Sequence, residues 1–321
     1  MLAAFATRHP AIGLGIVTVF WGLSFSLMRN WQVRAREWTG DDLLRQSLAS
    51  LLLMVIRMTA GFTVFGLMVA RAKPGHGWMA GALVGVAMGL GLFLQLWGLA
   101  FTTPALCAFF TGLASLWVPV LAFVATGASV GRANLVGLAL SLAGGVLLVE
   151  GGWRLGAGEW LTLAASVMFA AQIVVLDRLG RGADAGRLTA GFFLAIATLT
   201  LAASLAMAPA VGWTETGGFL AATLSDPWVA LDLALLVGLP TLWGFWWMNL
   251  CQPRLDATRA GLIYLLEPVF STFFSCLIGH DALTAPLVAG GALVLLGNAV
   301  AELGSRSRKA DESPAESGIE A

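Results

Sequence analysis

The chain has 321 residues, of which 58% are hydrophobic and only 11% charged, and its mean hydropathy is +0.84. A soluble domain carries about 25% charged residues, so the composition excludes an ordinary soluble fold and implies a polytopic α-helical membrane protein whose first partner is the lipid bilayer. Eighteen basic residues balance eighteen acidic ones, which leaves no basic surplus to attract a nucleic acid.

With about 17–25 apolar residues counted as one span, ten spans are expected, near 12–28, 48–70, 78–101, 104–125, 134–149, 160–176, 188–211, 228–250, 258–278 and 283–301. The first follows a short Arg8-His9-Pro10 head and lacks a small-residue cleavage site, so it reads as a retained span. The charged connection Asn30 to Ser47 predicts a short surface helix running into span two, with Trp31 and Trp38 as interfacial anchors and Thr39-Gly40-Asp41-Asp42 as a capping signal. Span three carries Gly81, Gly85 and Gly89 at four-residue spacing, an edge that lets a neighbouring backbone approach closely. Beyond span ten, Arg306 to Glu320 is polar enough to predict a disordered tail. Cys107, Cys251 and Cys276 lie in or beside apolar runs without metal-ligand spacing, so a disulfide framework and a metal site are not expected.

The basic residues orient the chain. Arg29, Arg34, Arg36, Arg45 and Arg154 fall on one side, Arg57 lies within a span, and the remaining twelve of the eighteen fall on the side of the N-terminus. The positive-inside bias then predicts a multi-pass protein of the cytoplasmic (inner) membrane with both termini in the cytoplasm.

Sliding the chain along itself by 149 positions aligns Phe20 with Phe169, Arg29 with Arg178, Trp97 with Trp246, Pro104 with Pro253, Gly112 with Gly261 and Pro119 with Pro268. Five spans per half is an odd number, so a duplicated half enters the membrane upside down relative to the first. The expected organisation is a cytoplasmic N-terminus at 1–11, one five-span repeat at 12–150, a second at 151–303 and a disordered cytoplasmic tail at 304–321. Inverted repeats place a transporter's site near the midplane, where Gly or Pro interrupts corresponding helices. The register offers Gly91 with Pro240, and Pro119 with Pro268, as helix-break candidates. A proline there removes one helical hydrogen bond and leaves a carbonyl free.

Phe20-Trp21-Gly22 with Arg29, Arg57, Leu116-Trp117-Val118-Pro119-Val120 and Leu266-Glu267-Pro268-Val269 occur in an order that resembles the drug/metabolite transporter superfamily, and within it the ten-span EamA-type transporters. The resemblance covers nearly all of residues 11–303. It implies two inverted five-helix repeats and export of a metabolite, often an amino acid or an amphiphile. Gly279-His280-Asp281 stands where the family's Gly-Glu falls, and the connection between spans one and two is long.

The chemistry centres on Gly261 to Thr284, an apolar run with one carboxylate, Glu267, beside a proline. An ionised side chain at mid-membrane costs roughly 2.5–3.5 kcal/mol on insertion scales, so Glu267 faces protein or water rather than lipid. Tyr264, Glu267, Ser271 and Ser275 fall on one stripe at helical spacing. Arg57, central in span two, needs a partner or water, and Glu267 is the carboxylate at similar depth. Trp21 and Trp117 sit mid-span and are cavity candidates, as is Ser115, whereas the tryptophans at span ends form an interfacial belt. Trp243, Trp246 and Trp247 share a face of span eight that either lines a path or packs. The substrate-path candidates are therefore Trp21, Arg57, Ser115, Trp117, Tyr264, Glu267 and Ser271.

No phosphate loop is present, and the three histidines lie at span ends without a nucleophile at their depth, so neither ATP drive, an enzyme nor a cofactor is expected. The reading is a secondary transporter of a small-molecule substrate, amino-acid-like or amphiphilic, with protons as candidate coupling ion through Glu267 and with monomer and homodimer both open. A membrane scaffold or an intramembrane enzyme is the alternative; neither calls for both an Arg and a Glu at mid-membrane depth.

Overall fold

The computed structural model describes residues 2–71, 75–126, 132–148, 155–255 and 257–312. They form an all-helical protein with no strand among the described residues. In chain order the helices are α1 (Leu2–Arg8), α2 (Pro10–Thr39), α3 (Leu43–Ala70), α4 (Trp78–Leu99), α5 (Pro104–Gly112), α6 (Ala114–Thr126), α7 (Arg132–Leu148), α8 (Ala157–Leu179), α9 (Ala185–Val211), α10 (Trp213–Leu224), α11 (Pro227–Leu236), α12 (Phe245–Cys251), α13 (Ala257–Tyr264), α14 (Leu266–Ile278) and α15 (Ala285–Glu312). A π-helical segment, Val237–Gly244, joins α11 to α12.

Seven segments, rather than ten, are long and apolar enough to cross a membrane: α2, α3, α4, Pro104–Leu121, α8, α9 and Pro227–Arg254. The other three expected spans are shorter. Helix α7 has 17 residues, span nine is split at Leu265 into α13 and α14, and the apolar part of α15 is Ala285–Gly297.

The expected surface helix after span one is instead a continuation of α2, which runs 30 residues to Thr39. No proline or glycine interrupts Leu23 to Thr39, and the extension is held by packing. Trp31 is buried, donating Nε1–H to the Ala49 carbonyl at 3.0 Å, and Gln32 Nε2 donates to Ser50 Oγ and to the Leu96 carbonyl, both at 3.0 Å. Trp31 is thus a core residue and not a belt anchor. The helix stops at Gly40, whose φ of 52° suits glycine, and Asp42 caps α3 by accepting from the Leu44 and Arg45 amides. The surface helix of this region is α10, which sequence reasoning did not anticipate. Its Phe219 stacks on Trp38 with centroids 4.4 Å apart, and its Glu215 pairs with Arg45 at 2.7 Å. At the far terminus α15 continues to Glu312, through nine residues expected to be a disordered tail, because no residue from Ser305 to Glu312 is a Gly or Pro; the rest of that tail, 313–321, lies outside the described residues.

The helices pair across the chain's two parts. Helix α2 packs on α14 and α12, while α8 packs on α6 and α4; α3 lies against α9, and α7 against α15. Under the 149-residue offset α2 corresponds to α8, α4 to α11–α12 and α6 to α14, so exchanging the two parts exchanges these pairings. The glycine edge of α4 makes a further contact, with α9. Gly81 and Gly85 face α9 so closely that a side chain at Gly81 would collide with the Leu188 carbonyl and the Phe192 amide.

The core is apolar and aromatic, centred on Phe25, Met28, Met54, Met58, Met88, Phe192, Phe193 and Phe245 from both parts of the chain. Trp247 is buried and packs edge-on against Trp243, so that face of span eight makes core contacts.

Candidate functional site

A central cavity opens among α2, α3, α4, the α5–α6 and α13–α14 breaks, α8 and α12. About 60 Å³ of it is open to the centres of water molecules, several times the ~10–15 Å³ that one water needs, so it has room for several waters beside its polar walls. Five of the seven expected path residues line it: Trp21, Arg57, Ser115, Tyr264 and Glu267. Trp117 and Ser271 do not. Trp117 turns to α8 and donates Nε1–H to Ser166 Oγ at 3.0 Å, and Ser271, fully buried, donates to the Pro104 carbonyl at 3.2 Å. The expected stripe assumed one straight helix, but span nine breaks at Leu265, so only its first members, Tyr264 and Glu267, face the cavity. Ser275 bonds instead to Asp281 in the following loop.

The break candidates divide. Helix α4 passes through Gly91 unbroken, and Gly91 serves to seat the Phe169 ring. Pro119 lies inside α6, while the interruption of that span falls earlier, at Leu113, whose amide bonds three residues back to Phe110. Pro268 sits in the first turn of α14, directly after the Leu265 break, and packs on Gly112. Pro240 lies in the π-helical segment. Its missing N–H frees the Leu236 carbonyl, but that carbonyl is taken by the Thr241 hydroxyl at 2.7 Å rather than left for a ligand.

Arg57 is 2% exposed. Its Nε–H donates to Thr241 Oγ1 at 3.0 Å and its Nη1 to Met28 Sδ at 3.2 Å. Although Arg57 and Glu267 line the same cavity, they do not form an ion pair, and the ion pairs among the described residues lie toward helix ends. The aromatic wall is continuous: Trp21 stacks on Tyr264 and tilts against Phe245, each with centroids 5.5 Å apart, while Trp21 Nε1–H donates to the Pro240 carbonyl at 3.2 Å. Tyr264 donates its hydroxyl to Gln252 Oε1 at 2.6 Å, fixing that ring from behind. Ser24, Gln95 and Gln172 also line the cavity and were missed. Their signal was weak but present, since an amide inside an apolar span needs partners as a charge does.

A second polar cluster closes one end. Asn30 Nδ2 donates to Asp232 Oδ2 at 2.7 Å and its Oδ1 accepts from His280 Nε2 at 2.7 Å, so α2, α11 and the α14–α15 loop are tied together. Burial, and after it the Arg29 guanidinium, push the His280 imidazole below its ordinary value of 6.5, with Asp281 and Asp232 opposing. The fold therefore favours the neutral ring. That contribution to stability is complete above 6.5, where the unfolded chain is also neutral, and is lost as pH falls through the depressed value. Melting of the purified protein is expected to move to lower temperature between about pH 7 and about pH 5.5, and His280→Gln, which keeps a donor but cannot charge, is expected to flatten that dependence. An unchanged slope in the variant would remove His280 from the effect.

Seven apolar membrane-length helices, six of which contribute to a buried cavity lined by Arg57 and Glu267, define a multi-pass helical membrane protein. Residues 156–301 match the EamA-like transporter family, which shows over that region the resemblance read from the sequence. A solved structure titled "Crystal structure of protein" shares the fold with a TM-score of 0.56 at 21% identity, over 91% of this chain and 98% of that one. No curated protein matches the sequence.

Proposed function

We propose that the chain is a secondary transporter that exports a small metabolite, amino-acid-like or amphiphilic, across the cytoplasmic membrane by alternating access. The observation that carries this reading is that Arg57 and Glu267 line one central cavity with room for water and do not form an ion pair. An arginine and a glutamate at mid-membrane depth that do not pair with each other serve no packing purpose, and both are placed where a solute would pass. The reciprocal pairings of α2 with α14 and of α8 with α6 support two inverted five-helix repeats, with α7, the α13–α14 pair and α15 counted as spans. Breaks at Leu113 and Leu265 then fall in corresponding helices beside the cavity, as alternating access about a midplane site requires. The bias of basic residues supports cytoplasmic termini, and Glu267 is the group through which protons would couple.

The cavity is tested directly by thiol accessibility. In a background lacking Cys107, Cys251 and Cys276, cysteines at Ser115 and Tyr264 are expected to react with small water-soluble thiol reagents, while a cysteine at Leu199, on the outer surface of α9, stays unlabelled in the membrane. Normal folding with no labelling at either cavity position would leave a scaffold as the better reading.

A further inference from the structure

We infer that Arg57 is the anion pole of this cavity, that it takes a carboxylate of the transported molecule, and that Thr241 is the residue that positions it. The inference rests on the transport reading of the cavity and specifies the ligand chemistry at one wall.

The argument starts at Pro240. A proline has no N–H, so the Leu236 carbonyl four residues earlier lacks its α-helical donor, and the chain widens into the π-helical segment Val237–Gly244. Thr241 fills the gap by giving its single hydroxyl hydrogen to Leu236 O at 2.7 Å. With that hydrogen committed, Thr241 Oγ1 has only lone pairs left, and it faces α3 as an obligate acceptor. Arg57 Nε–H occupies it at 3.0 Å. The first-half counterpart of Pro240 is Gly91, and α4 runs through it without a break, so the acceptor exists on one side of the cavity only.

This anchoring uses Nε–H and one Nη1 contact of a guanidinium that lines the cavity. Nη1 meets only the Met28 thioether, a weak acceptor, and Nη2 has no hydrogen-bond partner among the described residues. No carboxylate pairs with Arg57 among the described residues, yet the residue is 98% buried, its exposure being 2%. A guanidinium keeps its charge, and two parallel N–H groups on one planar edge match the two oxygens of a carboxylate. Glu267 lines the same cavity and, when ionised, sets a limit on what binds: a second negative charge on the ligand would meet a like charge, whereas a cationic group would be favoured. Trp21, Tyr264 and Phe245 supply an apolar surface between the poles. The ligand class is therefore a small monocarboxylate with an apolar body, with or without an ammonium group.

The test uses the purified full-length protein and three probes, 3-phenylpropionate, phenylalanine and phenylalaninamide, with binding read by saturable thermal shift. One or both carboxylates are expected to bind the wild type and the amide, which lacks the carboxylate, to bind at least about tenfold more weakly. Thr241→Val, which keeps the shape and removes the acceptor, is expected to weaken carboxylate binding about tenfold without changing amide binding, and Thr241→Ser to restore it. Arg57→Gln is expected to abolish carboxylate binding; if it does not fold, the Val and Ser variants at Thr241 carry the test. Binding of neither carboxylate, equal binding of the amide, or wild-type carboxylate affinity in Thr241→Val would overturn the inference. If Ser115 and Tyr264 positions still label with thiol reagents in that case, the transport reading stands and only the anion pole falls; if they do not, both fall.

Discussion

Glu267→Gln is expected to lose pH-gradient-driven accumulation of substrate in proteoliposomes while keeping substrate exchange. The glutamine retains size and hydrogen-bonding capacity and removes the ability to take up and release a proton. Glu267 is suited to that role by position, since it stands in the first turn of α14 immediately after the Leu265 break, lines the cavity, and makes no ion pair among the described residues. The same observation predicts that the variant folds. Were the carboxylate the structural counter-ion of Arg57, its removal would leave a buried cation unpaired at about 3–5 kcal/mol, and yield would collapse. Arg57 is held by Thr241 and Met28 instead. Gradient dependence equal to wild type in a well-folded Glu267→Gln protein would leave a facilitator driven by the substrate's own gradient.

Gly81→Leu is expected to prevent assembly of the helix bundle. A side chain there collides with the Leu188 carbonyl and the Phe192 amide, which belong to the backbone of α9 and cannot rotate away. Inserting methylenes into a packed core typically costs about 1–3 kcal/mol, and here helix axes must separate along the α4–α9 contact, so the loss should exceed that range. Gly15→Leu provides the comparison, because nothing lies within 4 Å of a Cβ placed at Gly15. Size-exclusion profiles and melting curves of the two variants should differ sharply. A monodisperse Gly81→Leu protein melting like the wild type would show that α4 and α9 pack otherwise.

Much of the fold was legible because hydrocarbon thickness imposes a length on apolar runs, and each expected span coincides with a helix or a broken pair of helices. What hydropathy does not encode is where a polar stretch stays helical. Asn30–Thr39 read as a connection because it is charged, yet it remains in α2 because Trp31 and Gln32 find buried partners on α3 and α4. Helix α10 was missed for the opposite reason, being 12 residues of mixed polarity with no strong period. In the cavity, Arg57, Tyr264 and Glu267 were legible because polar groups in an apolar run must have somewhere to go. Ser271 was misplaced because residue spacing converts to a shared face only on an unbroken helix, and Trp117 because mid-span depth does not fix which way a side chain faces. Gln95 and Gln172 carry no charge and drew no attention, although burial imposes the same demand on an amide.

The length of α2 turns it into a lever. Thirty residues make a rod of about 45 Å, against about 30 Å of hydrocarbon, so roughly a third of it stands clear of the lipid tails. Trp21, Ser24 and Met28 place the cavity along its central portion, while Arg34, near the projecting end, pairs with Asp226 at 3.2 Å. A tilt of about 10° around the middle would swing each tip by about 4 Å. That is enough to part Arg34 from Asp226 while the cavity contacts shift far less. Small adjustments to a bound molecule would thus be magnified at the projecting tip, and a fluorophore pair at the exposed Glu37 and Gly217 would record them from outside the bilayer.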